Sequence, residues 1–558
     1  MSAQVLATPS SPQNGTSRKK GRPTASFDPC VWGNHFVSHS SKFMKIDDAT
    51  TQQEYEQLKE EVRRMLNDTN SEHLKKLYLI DAVQRLGVDY HFEREIDDAL
   101  EKIYQDGVDC SNLYNVALWF RVFRQQGINV PSDVFKKFTN ENGKFKADLV
   151  NDVPGMLNLY EAAHLALPGE DILGEAIAFT TSNLESISTQ VNAQLAEQIS
   201  HALNRPMHKT LPRLGARHHI SLYSKDDHFD SNNGQLLRFA KLDFNLLQAF
   251  HRKELSSITE WWKKLDFKTK LPFARDRLVE CYFWAMVVYF EPKYFVASTF
   301  LTKAVILTSV MDDIYDNYGT YDELQLLTKC IERWDVSVID QLPEYMKLFY
   351  QALLDIYSEM EEEVAKEGRS YVVQHAKESF KRVAKAYFVE SKWREEGYAP
   401  SFEEYMKNAQ ISSGYPMLVT NSYVGMGNVA SKEAFEWISN DPKMLMASAI
   451  LSRLMNDIVS HQFERERDHV FSAVESYIKE HGVSREETVK ILRKEIADSW
   501  KVINEGCMKP TAFPMPLLIR ILNFTRTADV MYKDDDAYTK SYLLKDTIAS
   551  LLVDPVVV

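Results

Sequence analysis

Two short clusters of oxygen-bearing side chains dominate the chemistry of this chain: Asp312-Asp313-Ile314-Tyr315-Asp316, and Asn456, Ser460 and Glu464 spaced four apart. On a helix of 3.6 residues per turn, Asp312 and Asp316 lie one above the other with Asp313 about 100° round, so carboxylates gather at one bank. Asn456, Ser460 and Glu464 repeat at i, i+4 and i+8, which sets three ligands along about 12 Å of a second helix. All are hard oxygens. That set suits Mg²⁺, which keeps several waters and takes phosphate oxygens of a substrate as further ligands, and it does not suit zinc or copper.

The first cluster alone is weak, because an acidic chain of this length throws up such a pattern by chance. Its setting strengthens it. The carboxylates end the apolar run 300–311, and the second cluster follows the apolar run 444–451, so both extend helices that must be buried. Apolar helices do not usually end in clustered acids without a partner. The bland alternatives are a satisfied core amide for Asn456 and a hydroxyl bonded back to its own helix for Ser460.

Other residues are placed to join such a site. Arg275 and Arg277 follow Leu271-Pro272-Phe273-Ala274, where the proline predicts a loop before a helix starting near Ala274. Two guanidiniums there either grip phosphate oxygens bidentately or stand exposed at a helix start. Arg453 shares a helix face with Asn456, either to close the same anion site or to pair with a neighbouring acid. Trp284 and Tyr289 read as core aromatics or as ring faces for a cation. The run 533–538, which holds Asp536 and Tyr538 and follows Tyr532, reads as a solvated charged loop or as a lid.

The elements that position these residues are helical throughout. Segments 54–66, 71–86, 92–104 and 172–203 carry apolar residues at three-to-four spacing, and no alternating strand pattern with hairpin turns occurs. An all-α fold follows. The polar stretch 224–234 is the linker candidate, which gives a disordered tail over 1–27, an N-terminal helical domain over 28–230 and a C-terminal catalytic domain over 231–558. The basic patch Arg18-Lys19-Lys20 offers a transit or nuclear signal as the alternative to a solvated tail. Gly425-Met426-Gly427-Asn428-Val429-Ala430 matches a dinucleotide fingerprint, yet its surroundings read helical, so it is expected to be a turn.

The 558 residues carry a formal charge of −13, which argues against a nucleic-acid partner or an anionic membrane surface. No apolar stretch reads as long and charge-free enough to cross a bilayer, and the five cysteines show no C-x-x-C spacing. A reducing, cytoplasmic setting is expected.

Taken together, these residues resemble the plant terpene synthases, and within them the cytosolic sesquiterpene synthases. Arg22-Pro23, eight residues and then Trp32 are similar to the family's N-terminal R-P-x8-W element. Asp312, Asp313 and Asp316 fit its aspartate-rich motif, Asn456, Ser460 and Glu464 its second metal motif, and Arg275 and Arg277 its R-x-R. The resemblance implies two helical domains, the C-terminal one a class I α-barrel with three Mg²⁺ at the mouth of an apolar pocket, Mn²⁺ being the alternative metal, and a catalytically silent N-terminal domain. It implies farnesyl diphosphate as substrate, ionised to a carbocation that cyclises, in a protein expected to be a monomer. It gives Trp284 the role of facing the cation, places Tyr532, Asp536 and Tyr538 in the lid, and makes 412–414 a kinked helix with freed carbonyls. Geranyl diphosphate as substrate, chain-elongating prenyl transfer, and a weakened helical binding protein are the alternatives. Departures from the pattern are Asn456 for Asp, Asp468 and Ala537 for Gly, Pro416 inside the kink, and Gly414 for a hydroxyl residue.

Overall fold

A computed structural model describes residues 27–36, 49–107, 111–465 and 472–558. Residues 1–26 of the expected tail over 1–27, which include Arg22-Pro23, and Asp468 lie outside the described residues, as does the side chain of Glu464, whose backbone is helical. Among the described residues the only regular elements are helices. The N-terminal half holds α1 (Ala49–Asn67), α2 (His73–Arg85), α3 (Glu93–Asp106), α4 (Leu113–Gln125), α5 (Val153–Ala163), α6 (Asp171–Ile187), α7 (Ala193–Asn204) and α8 (Pro212–Tyr223). The rest follows as α9 (Asp227–Leu265), α10 (Phe267–Lys270), α11 (Leu278–Val288), α12 (Phe295–Asn317), α13 (Tyr321–Arg333), α14 (Glu344–Ala365), α15 (Tyr371–Glu396) and α16 (Phe402–Ser412). Last come α17 (Tyr415–Ser422), α18 (Lys432–Ser439), α19 (Lys443–Arg465), α20 (Ala473–His481), α21 (Arg485–Gly506), α22 (Met515–Tyr532) and α23 (Lys545–Leu552).

Local chemistry sets many of the boundaries. The periodic stretch 172–203 is two helices and not one, because the Asn192 side chain accepts the Leu195 N–H and starts α7 afresh. Thr320 and Glu323 form a capping box that restarts the chain after α12. Of the expected linker at 224–234, residues 224–226 join α8 to α9 and the rest opens α9, broken only at Asn233, where φ is −132° and ψ 23°. Polar composition suggested a loop, and the helix prevails because one apolar core runs from Trp32 to Leu552 and packs helices of both halves together.

α11 and α12 form the centre of the C-terminal half. All 11 residues of α11 are buried, as an all-round apolar helix requires. The stretch Pro292–Asn317 is, against expectation, long and apolar enough to cross a membrane, with an 18-residue window of mean hydropathy 1.5. In the fold, 78% of that window is buried in protein, which is how a core helix spends such a surface.

The glycine fingerprint is a turn, as expected, with a short 3₁₀ segment at Gly427–Val429. Gly425 has a packing reason: a Cβ there would come within 2.6 Å of the Ala297 backbone at the start of α12. Gly425→Ala is expected to cost about 1–3 kcal/mol through overpacking. Thermal melts would measure it, and an unchanged melting temperature would show that this contact relaxes freely.

Candidate active site

The two motif-bearing helices meet. Asp312 and Asp316 from α12 and Asn456 and Ser460 from α19 line one cavity of about 220 Å³, together with Arg275, Trp284, Arg453, Tyr532, Asp536 and Tyr538. A larger cavity of about 1330 Å³ lies among α2, α5, α7, α8 and α22, and neither acidic cluster reaches it. Size therefore does not mark the chemistry here; the convergence of charged and aromatic side chains does.

Asp313 is not part of the metal-facing bank. It is fully buried, and its Oδ2 accepts the Arg275 backbone N–H at 2.7 Å while its Oδ1 accepts from Asn317 Nδ2 at 3.0 Å. The 100° offset along the helix turns it toward the loop that carries Arg275. That capture also explains why the helix expected from Ala274 begins only at Leu278. The Arg275 N–H donates to a side chain, and the arginine stays in an extended loop at the cavity rim.

The Arg275 guanidinium is the electrostatic hub of the rim. Its Nη2 donates to Asp312 Oδ2 at 2.6 Å. Its Nε stands 2.9 Å from Asp313 Oδ1, but off the N–H axis, so that pair is ionic and not hydrogen bonded. The Phe27 ring (5.0 Å) and the Tyr538 ring (5.2 Å) lie within stacking distance of it. Burial, and next the neighbouring Asp316, push the Asp312 carboxyl up to about 7, although 32% of the side chain is open to the cavity. Two carboxylates that face one cavity favour a bound cation between them. The donor set of Asp312, Asp316, Asn456 and Ser460 is all oxygen and fits a hard divalent metal.

Arg277 does not face the cavity. It is 2% exposed, and it donates to the carbonyls of Tyr538 (3.1 Å), Thr539 (2.9 Å) and Asp28 (3.0 Å). It braces two segments that cover the mouth, the 533–540 loop and the chain at 27–28. Phe27, the last residue of the expected tail over 1–27, itself lines the cavity. Lysine has no planar fork to span three carbonyls. Arg277→Lys is therefore expected to lower kcat about tenfold and to raise the hydroxylated share of product, as read by mass analysis of reactions run in oxygen-18 water. An unchanged product profile would show that the brace has no part in excluding solvent.

Arg453 pairs with a neighbouring acid and also reaches the cavity. It lines the cavity, donates to Ser412 Oγ at 3.3 Å, and stands 3.5 Å from Asp457. Asp457, within the second motif but unremarked in sequence, is 1% exposed and accepts from Tyr405 Oη at 2.7 Å and the Ala473 N–H at 2.8 Å. It fixes α19 against α16 and the start of α20. Glu390 was also missed: its Oε1 accepts from Ser412 and Asn408, and burial, opposed by Arg453, lifts its carboxyl to about 7.

Beneath the charged rim the walls are aromatic. Trp284 makes edge contacts with Tyr415, Tyr532 and Tyr538 at centroid distances of 6.4, 6.4 and 5.9 Å. Tyr538 Oη donates to Ser309, and Asp536 Oδ1 accepts the backbone N–H groups of Tyr538 and Thr539, so the charged loop is folded over the mouth. Tyr289 is not a pocket residue; it is core, stacked under Arg520 at 4.6 Å. Between α16 and α17, Gly414 has φ +77°, and Pro416 offers no N–H to the Ser412 carbonyl, so the helix breaks beside the cavity.

Residues 263–502 match the family described as "Terpene synthase family, metal binding domain", and residues 31–203 match "Terpene synthase, N-terminal domain". The chain belongs to the terpene synthase family. This synthase is 52% identical over 559 residues to (-)-germacrene D synthase of Vitis vinifera, with 100% of both chains covered. It is 52% identical to valencene synthase of the same plant, over 96% of this chain and 97% of the relative. Among solved structures, isoprene synthase from grey poplar in complex with three Mg²⁺ ions and dimethylallyl-S-thiolodiphosphate superposes with a TM-score of 0.86. The identity is 34%, over 91% of this chain and 98% of that one. Limonene synthase with 2-fluorolinalyl diphosphate gives a TM-score of 0.89 at 31% identity, over 96% and 100%. The terpene synthase assignment makes this a lyase that depends on a divalent metal.

Proposed function

We propose that this synthase ionises farnesyl diphosphate with Mg²⁺ and cyclises the resulting cation to a sesquiterpene. The observation that carries this reading is the convergence of both oxygen-ligand banks, two guanidiniums and an aromatic wall on one cavity. Relatives named as sesquiterpene synthases, from Toona sinensis (48% identical over 100% of this chain) and Santalum austrocaledonicum (49% over 97%), support the fifteen-carbon substrate.

Asp312, Asp316, Asn456 and Ser460 would hold the metal, with Glu464 completing the motif. When bound, the metal neutralises charge on the diphosphate oxygens and makes the diphosphate a good leaving group. Arg275 and Arg453 stabilise the same developing charge from the rim, pre-oriented by their carboxylate and hydroxyl partners. The allylic cation left behind faces Trp284, Tyr415, Tyr532 and Tyr538, whose ring faces stabilise positive charge. Phe27, Tyr538 and the loop braced by Arg277 keep out the water that would quench it. The cavity of about 220 Å³ is small for a fifteen-carbon chain, and Phe27 and the 533–540 loop are the segments whose movement would enlarge it.

Purified protein incubated with farnesyl or geranyl diphosphate, side by side, is expected to release a cyclic C15 product from the former with Mg²⁺ present. A chelator should abolish it. Folded protein that yields no hydrocarbon or alcohol from either substrate would overturn the proposal, and longer prenyl diphosphates on addition of isopentenyl diphosphate would point to chain elongation.

A further inference from the structure

The last turn of α12, which presents Asp316, has an unusual termination. Tyr318 and Gly319 both give their N–H groups to the Ile314 carbonyl, and the Thr320 N–H goes to Glu323. The carbonyls of Tyr315 and Asp316 are thereby left without the donors that a continuing helix would supply. Arg394, in the last turn of α15, fills that gap: its Nη2 donates to Tyr315 O at 2.8 Å and its Nη1 to Asp316 O at 3.1 Å. Nη1 also stands 3.9 Å from Asp316 Oδ1, beyond hydrogen-bond reach.

Resting on the metal-site reading above, we propose that Arg394 is a positioning residue for the metal ligand Asp316. Two hydrogen bonds to consecutive carbonyls fix the backbone under the ligand, and a cation at a helix C-terminus offsets the negative end of the helix dipole. The carboxylate, 31% exposed and lining the cavity, is held near the guanidinium without being consumed by it. Arg394 thus acts on metal affinity through Asp316, from outside the cavity, whose lining does not include it.

The test uses the full-length protein titrated calorimetrically with MgCl₂ in the presence of inorganic diphosphate, alongside the Mg²⁺ dependence of turnover. Arg394→Gln is expected to raise the Mg²⁺ half-saturation about tenfold in both measurements, within the range seen when partners of metal ligands are removed. The KM for farnesyl diphosphate at saturating Mg²⁺ should hold. Arg394→Lys, which keeps the charge but not the fork, should recover part of the affinity, and it guards against a glutamine variant that folds poorly. Unshifted Mg²⁺ titrations for both variants, with only a lowered melting temperature, would make Arg394 a structural clip and overturn the proposal. Wild-type protein that gives no metal-dependent heat beyond that of MgCl₂ added to diphosphate alone would instead overturn the underlying site reading.

Discussion

Asp312→Ala is expected to lower turnover by about three orders of magnitude while leaving the metal-free protein as stable as wild type or more so. The size is that of losing a charge-stabilising group aimed at a transition state. The stability follows from the surroundings: Asp312 is crowded by Asp316 and Asp313, and its carboxyl is pushed up to about 7 by burial first and Asp316 next. For an acid with a raised folded-state pKa, ionisation opposes folding; the penalty is absent below the ordinary carboxylate range and complete above about 7. Without metal, the variant's melting temperature should therefore gain on wild type between pH 5 and pH 8. A large loss of melting temperature at pH 8 would place Asp312 in a structural network.

Arg275→Met should abolish turnover and destabilise the fold together. Asp313 is fully buried and is left with only the Asn317 amide and the residue-275 N–H. Breaking a buried ion pair from one side costs about 3–5 kcal/mol. Phe27 and Tyr538 also lose the guanidinium within stacking distance of both. Denaturant melts of the two variants separate the roles: Asp312 serves chemistry alone, Arg275 serves chemistry and structure. Equal midpoints for Arg275→Met and wild type would refute the second half of that contrast.

How far the sequence discloses this site depends on what spacing encodes. Helical period fixes which side chains share a face, so the meeting of Asp312 and Asp316 with Asn456 and Ser460 was legible. The break at Gly414 and Pro416 was legible too, because those residues restrict or free the backbone locally. Period does not say which face the tertiary packing turns inward. Asp313 was counted as a ligand although its 100° offset already set it apart, and only the packing of the Arg275 loop shows what it holds. Arg277 looks like Arg275 in sequence; their difference lies in the carbonyls of Asp28, Tyr538 and Thr539, which are distant in the chain. Polar composition at 224–234 mimicked a linker, and composition carries no record of the core that continues α9.

The chain at Phe27 and Asp28 has a practical bearing. Trimming a leader is a common way to improve the yield of an enzyme, and a boundary drawn from low complexity would fall just past these residues. In this molecule such a cut would remove one side of the reaction vessel and two of the tethers that close it. Differences in product mixture between long and short versions would then report on how well the vessel seals and on the wall that Phe27 supplies.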